Sequence, residues 1–150
     1  MDIEKKQVRI AIRHDGSKAD LPVEGLGAEL SKRLDEIQTA MFEKAKAARD
    51  EHIIKITEWK DFVPNLEKNN LVLAPWCDPK DIEWEEWAKA KSKEESLKNA
   101  GLEGEDERTS TSVAAKTLCV PFEQPELPEG TKCFASGKPA TCWVLWGRSY

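Results

Sequence analysis

The sequence predicts an α+β protein, a two-layer β-α-β-α-β-β domain with a mixed four-stranded sheet, preceded by a long linker helix. Three observations carry that expectation. Leu26, Leu30, Leu34, Ile37, Met41 and Ala45 recur at steps of three and four, the spacing of one helical face. Residues 52–150 then alternate short apolar or β-branched runs with two helical stretches, and helical crossovers join parallel strands. The final two runs are separated only by a loop rich in proline and glycine, which calls for an antiparallel return.

Taken in order, Val8-Arg9-Ile10-Ala11-Ile12-Arg13 alternates apolar and basic residues with period two, a half-exposed strand ending in the turn residues Asp15-Gly16. From Pro22 to about Glu51 the pattern is helical. Asp35 and Glu36 come early and Lys44, Lys46 and Arg49 late, as the helix dipole favours, and the leucine face is expected to be core. His52–Ile56 reads as a short strand. Thr57 then suits an N-cap, with Trp59, Phe62, Val63 and Leu66 forming the apolar side of a short helix that tolerates Pro64 only near its first turns. Asn69-Asn70 stops it, and Leu71–Ala74 is apolar throughout, as an inner strand should be.

Asp78-Pro79 opens the next predicted helix, with proline at its first position. Asp81, Glu83, Glu85 and Glu86 load its first half and Lys89, Lys91, Lys93 and Lys98 its second; Ile82, Trp84, Trp87 and Ala88 are the candidates for its buried side. Gly101–Ser112 reads as a surface loop. A strand over Lys116–Phe122 follows. A loop through Pro125, Pro128 and Gly130 then leads to Lys132-Cys133-Phe134, the Gly137-Lys138-Pro139 turn and an inner last strand over Thr141–Trp146. Chains usually fray at the C-terminus, and one that stays aromatic this far is expected to be held against something.

The 150 residues suit one ordinary domain, and no apolar run approaches the length of a membrane span. No signal-peptide pattern is present, so a soluble intracellular protein is the expectation. The net charge of −5 comes from one segment, residues 78–107, which hold 11 acids and 5 bases. That distribution excludes a protein that wraps nucleic acid by charge alone, which would show a basic stripe. Cys77, Cys119, Cys133 and Cys142 are irregularly spaced, which fits free thiols in a reducing compartment better than a disulfide framework.

Four stretches, in order, carry a family resemblance. They are Asp35-Glu36-Ile37-Gln38 with Phe42 after it, Leu73-Ala74-Pro75-Trp76-Cys77, Lys116-Thr117-Leu118-Cys119-Val120-Pro121-Phe122, and Gly137-Lys138-Pro139-Ala140 closing on Gly147-Arg148-Ser149-Tyr150. Together they resemble the C-terminal region of prolyl-tRNA synthetase of the eukaryotic and archaeal type. The resemblance implies three parts: residues 1–21 as the last strand of a truncated anticodon-binding domain, residues 22–51 as the linker helix, and residues 52–150 as the C-terminal domain, zinc-binding in many relatives. It implies a cytoplasmic, homodimeric parent enzyme that attaches proline to tRNA(Pro) with ATP and magnesium. The chain is too short to hold the catalytic core of that class, so it is expected to be a piece of the parent whose partners are the catalytic and anticodon-binding domains.

The same resemblance implies that Arg148, Ser149 and Tyr150 form a tail docking at the active site, and that Arg9, Arg13 and Lys18 lie at the edge of a tRNA-binding surface. The plain alternative for these bases is a solvated strand face. The resemblance also implies a structural zinc that the family often carries in this domain, bound by two close cysteine pairs. This chain keeps the first member of each, Cys77 and Cys133, while the partner positions hold Ile82 or Trp84 and Ala135 or Ser136. No metal and no cofactor of its own is therefore expected, with packing by Trp84, Trp87 and Phe134 taking zinc's place. No catalytic residue is assigned: His14 and His52 lack partners at motif spacing, and glycine-rich phosphate loops are absent. Two other readings stay open. One is a free-standing α/β protein- or RNA-binding module; the other is a small thiol enzyme using Cys77, with its pKa lowered by a nearby helix N-terminus.

Overall fold

The computed structural model describes residues 4–101 and 113–148, so most of the predicted Gly101–Ser112 loop lies outside the described residues. The chain divides into two compact units, Met1–Asp50 and Glu51–Tyr150.

In the first unit, β1 (Gln7–Ala11) pairs antiparallel with β2 (Lys18–Pro22), Arg9 standing opposite Asp20 and Ala11 opposite Lys18. The predicted turn at Asp15-Gly16 closes this hairpin. Gly16 takes φ +75, where a side chain would be strained, and Asp15 Oδ1 accepts from the Ser17 amide at 2.9 Å. β2 was not anticipated, and it moves the helix start: Pro22 ends a strand, and α1 runs over Leu26–Glu51 after Gly25 turns the chain at φ +71.

The expectation that the leucine face of α1 is core needs correcting, because no residue of α1 is buried. Leu34 is 66% and Met41 52% exposed. The cause is supply: two five-residue strands are the only other regular elements described in this unit, and they cannot cover a 26-residue helix. Ile10, Ile12, Leu30, Leu34, Ile37 and Met41 are left lining an open apolar groove.

The second unit follows the predicted order: β3 (Ile53–Lys55), α2 (Phe62–Glu67), β4 (Leu71–Trp76), α3 (Ile82–Asn99), β5 (Ala115–Cys119) and β6 (Cys142–Arg148). Its sheet has the strand order β3-β4-β6-β5, with β3 and β4 parallel and β6 antiparallel to both its neighbours. The first three strands thus point one way, and the last inserts between the second and third.

Local chemistry sets each helix end. A 3-10 turn over Trp59–Asp61 leads into α2 with Glu58, not Thr57, at the cap position and no side-chain capping bond. Pro64 sits in the first turn of α2, where its missing N–H costs nothing. Asn69 takes φ +60, and the amides of Asn69 and Asn70 bond the carbonyls of Leu66 and Asn65, a left-handed stop that satisfies the last carbonyls. α3 starts three residues later than expected. Asp81 caps it by accepting from the Trp84 amide at 3.3 Å, while Asp78 instead turns the chain through its bond to the Lys80 amide.

The helices cover one face of the sheet. Strand alternation sends Val72, Ala74, Trp76, Val144 and Trp146 into that interface, where they meet Phe62, Val63, Leu66 and Ala88. Phe134 is the hub, with ring centroids 4.9 Å from Phe62, 5.6 Å from Trp59, 5.7 Å from Trp146 and 5.9 Å from Trp76. The expected buried side of α3 is only partly right: Ala88 is sealed, but Ile82 is 71% exposed and the true inner row continues to Ser92 and Ser96. β5 is likewise shorter than the predicted Lys116–Phe122. Its register breaks between Thr117 and Cys119, and Pro121 has no N–H to offer a ladder. Where β5 has left, Gln124 Oε1 takes its place and accepts from the Trp143 amide at 2.9 Å.

Truncating Phe134 to alanine should therefore cost about 3–5 kcal/mol of unfolding free energy in denaturant titrations. Leu34→Ala in the same chain should move it by less than about 0.5 kcal/mol, since that side chain is already in water.

Candidate functional site

The end of β6 is where the chain's chemistry converges. Trp146 and Arg148 point to the helix side and Gly147 to the other, where a Cβ would stand 2.9 Å from Leu71 Cδ2 and 3.0 Å from Leu118 Cδ1. Only glycine fits there without displacing those side chains. Arg148 Nη2 donates to Ser96 Oγ at 2.7 Å, and its Nε is buried with no hydrogen-bond partner. One turn earlier on α3, Ser92 Oγ donates to the Lys89 carbonyl and accepts from the Ala115 amide at 3.0 Å. Ala115 is the register partner of Arg148. A single rung of the sheet is thus fastened to α3 at both strands, through two serines on one helix face. Ser149 and Tyr150, the other predicted tail residues, lie outside the described residues.

The fold brings the two predicted cysteines together. Cys77 follows β4 and Cys133 begins the turn before β6; both are buried. The loops that carry them are tied by bonds from the Phe134 amide to the Pro75 carbonyl, from the Thr141 amide to Trp76, and from Thr141 Oγ1 to the Cys77 carbonyl at 2.7 Å. Burial pushes the Cys77 thiol above the ordinary cysteine value, the Ser136 hydroxyl pulls it back in part, and Cys133 adds to the rise. Cys142 is raised for the same leading reason, burial. The direction is opposite to the lowered pKa that a Cys77 nucleophile would need. Cys119 is exposed at the end of β5.

Structural zinc needs four donors in a tetrahedron. Beside Cys77 stand Cys133 and the Ser136 hydroxyl, and Ser136 also donates its amide to Cys133 Sγ at 3.5 Å. Among the described residues no three His, Cys, Asp or Glu side chains are grouped to hold a metal ion. Among the described residues that set falls short of the four donors a tetrahedral zinc takes. Of the packing residues expected in its stead, Phe134 is central to the core and Trp84 packs against it, its ring 5.3 Å from Trp87, which is 40% exposed.

Of the three predicted tRNA-contacting bases, Arg9 and Lys18 share the exposed face of the hairpin, because register partners point the same way. Arg9 is not a bare charge: it grips Asp20 directly opposite with two bonds, at 2.8 Å and 2.9 Å. That grip, first of all, holds the Asp20 carboxyl below its ordinary value. Arg13 lies beyond the ladder, in the turn and beside the apolar groove. The histidines stand apart in chemistry as in sequence. His52 Nδ1 bonds Asn70 Oδ1 at 2.9 Å, and His14 faces Asp15 at 3.9 Å.

Ser92, Ser96 and Gln124 were not singled out from sequence. Serine in a charged helical run carries no periodic signal of its own. Their sole clue is position, since Ser92 and Ser96 extend the four-residue steps of Ala88.

Residues 59–150 match the family model described as prolyl-tRNA synthetase, C-terminal. The chain is 43% identical over 149 residues to the cytoplasmic proline–tRNA ligase of Arabidopsis thaliana, an alignment covering 99% of this chain and 25% of that protein. It is 33% identical over 150 residues to proline–tRNA ligase 2 of Bacillus cereus, covering 99% of the chain and 26% of the relative. Against the bifunctional glutamate/proline–tRNA ligase of Drosophila melanogaster the identity is 33% over 152 residues, 97% of the chain and 8% of the relative. The chain thus spans a quarter or less of the first curated relatives it matches. No helix among the described residues is long and apolar enough to cross a membrane. With the family model matched over more than half of its length, the chain belongs to the prolyl-tRNA synthetase C-terminal family.

Proposed function

We propose that the chain is the C-terminal region of a cytoplasmic, homodimeric prolyl-tRNA ligase, whose full-length form joins proline to tRNA(Pro) with ATP and magnesium. The observation that carries this reading is coverage: nearly all of this chain aligns with a quarter of a proline–tRNA ligase. In that enzyme, residues 1–21 are the end of the anticodon-binding domain, 22–51 the linker and 52–150 the C-terminal domain. The open groove of Ile10, Leu30, Leu34 and Met41 supports this division, because a two-stranded sheet and a half-bare helix are marginal by themselves and suit elements completed by preceding chain.

The part this chain plays in the reaction is structural. Ser149 and Tyr150 dock on the catalytic domain, led out of the sheet by Arg148, and Lys18 and Arg13 on the hairpin contact tRNA phosphates, with Arg9 positioned by Asp20. No zinc is bound. The aromatic hub at Phe134 ties the turn before β6 to the sheet, the task that a metal performs where four thiolates are present. A free-standing binding module is the second reading, favoured only by the same open groove. Coding sequence ahead of Met1 that carries class II synthetase motifs supports the ligase; its absence supports the module.

Three measurements test these assignments. Deleting Ser149 and Tyr150 from the intact ligase should impair aminoacylation with the thermal unfolding midpoint unchanged; unaltered kinetics would remove the docking role. Metal analysis of the purified protein should find far less than one zinc per chain, and a stoichiometric ion would overturn the metal-free assignment. Alkylation of the folded protein should label Cys119 first and reach Cys77 only on unfolding, because a buried, neutral thiol is a poor nucleophile. Fast labelling of Cys77 would instead favour a thiol enzyme.

A further inference from the structure

We propose that Ser96 is a positioning residue for the C-terminal tail: together with Arg148 it forms a clasp that fixes where, and in which direction, the chain leaves the sheet. This inference rests on the tail-docking reading above and names the residue that makes docking precise.

The geometry is one of over-determination. β4 pairs β6 as far as Trp146 and β5 as far as Arg148, so the strand is held against sliding. Arg148 is the last residue of β6 and is paired in the sheet on one side only, to Ala115. The clasp acts at that point. Arg148 Nη2 reaches across to Ser96 Oγ at 2.7 Å, and the opposite rung residue, Ala115, is tied to the same helix by Ser92. Both serines are nearly sealed, at 0% and 4% exposure, and they are the only buried polar residues among those described. Buried hydroxyls on a helix that lines an aromatic core are costly unless bonded. Here each is bonded, and each accepts a bond from the end of a strand.

The guanidinium is anchored at one nitrogen only. Its Nε is buried without a hydrogen-bond partner, and no carboxylate pairs with Arg148, among the described residues. A core packed for stability alone would place an apolar side chain there, at lower desolvation cost. The arrangement instead spends one bond on aiming a charged, planar group under the last turn of α3, whose carbonyl dipoles favour a cation. Ser96 touches neither substrate nor catalytic domain in this reading and acts only through Arg148.

The test is a double-mutant cycle in the intact ligase between Ser96→Ala and deletion of Ser149–Tyr150, reading kcat and KM for aminoacylation. Ser96→Ala keeps the helix and leaves no cavity, and its thermal midpoint checks the fold. The clasp predicts that Ser96→Ala shifts the same kinetic parameter as tail deletion, by about threefold to tenfold, and has no effect once the tail is gone. A second variant, Arg148→Met, should give the same loss and be insensitive to Ser96→Ala. If tail deletion impairs the enzyme while Ser96→Ala does not, or if Ser96→Ala costs equally with and without the tail, the clasp is wrong and tail docking stands. If tail deletion itself is silent, docking fails and the clasp fails with it, so the two failures are told apart by the deletion arm.

Discussion

The second unit depends on β6 lying between β4 and β5. Every other strand can be placed by short-range connection: β3 and β4 are joined by α2, and α3 carries the chain on to β5. Only the last strand returns to the middle, and by doing so it turns a parallel pair and a distant third strand into one sheet. Its side chains make this insertion favourable. Trp143 and Trp146, on opposite faces of the sheet, are 1% and 0% exposed, and burying a side chain of that size contributes roughly 2–3 kcal/mol or more each. The sheet of this unit is therefore complete only with β6 in place.

That dependence explains why the region around Phe134 is built as it is. The turn before β6 must be fixed before the strand can register, and Phe134 fixes it by inserting among Trp59, Phe62, Trp76 and Trp146. The neighbouring thiols, Cys77 and Cys133, are buried beside this turn, and burial raises the pKa of Cys77.

The first unit shows the reverse situation. Its hairpin is well registered, with Arg9 and Asp20 bonded twice across the strands, yet its helix offers an apolar row to solvent. Periodicity reports that a face is apolar. It does not report whether the same chain supplies the surface that covers it.

The sequence by itself determined which segments are helices and strands in the second unit, the turn at Asp15-Gly16, the stop at Asn69, the sealed Ala88 and the family, because local propensity and ordered motifs are written in adjacent residues. Its errors lie where contacts are distant. Pro79 looked like a helix start until Asp78 turned the chain, Ile82 looked buried, and Ser92 and Ser96 carried no signal. Only the tertiary structure decided that two helix serines bind the ends of β5 and β6, that Cys77 and Cys133 meet, and that Gln124 replaces a missing rung. Each joins residues 19 to 56 positions apart, and polar side chains at such separations leave no periodic trace in the sequence.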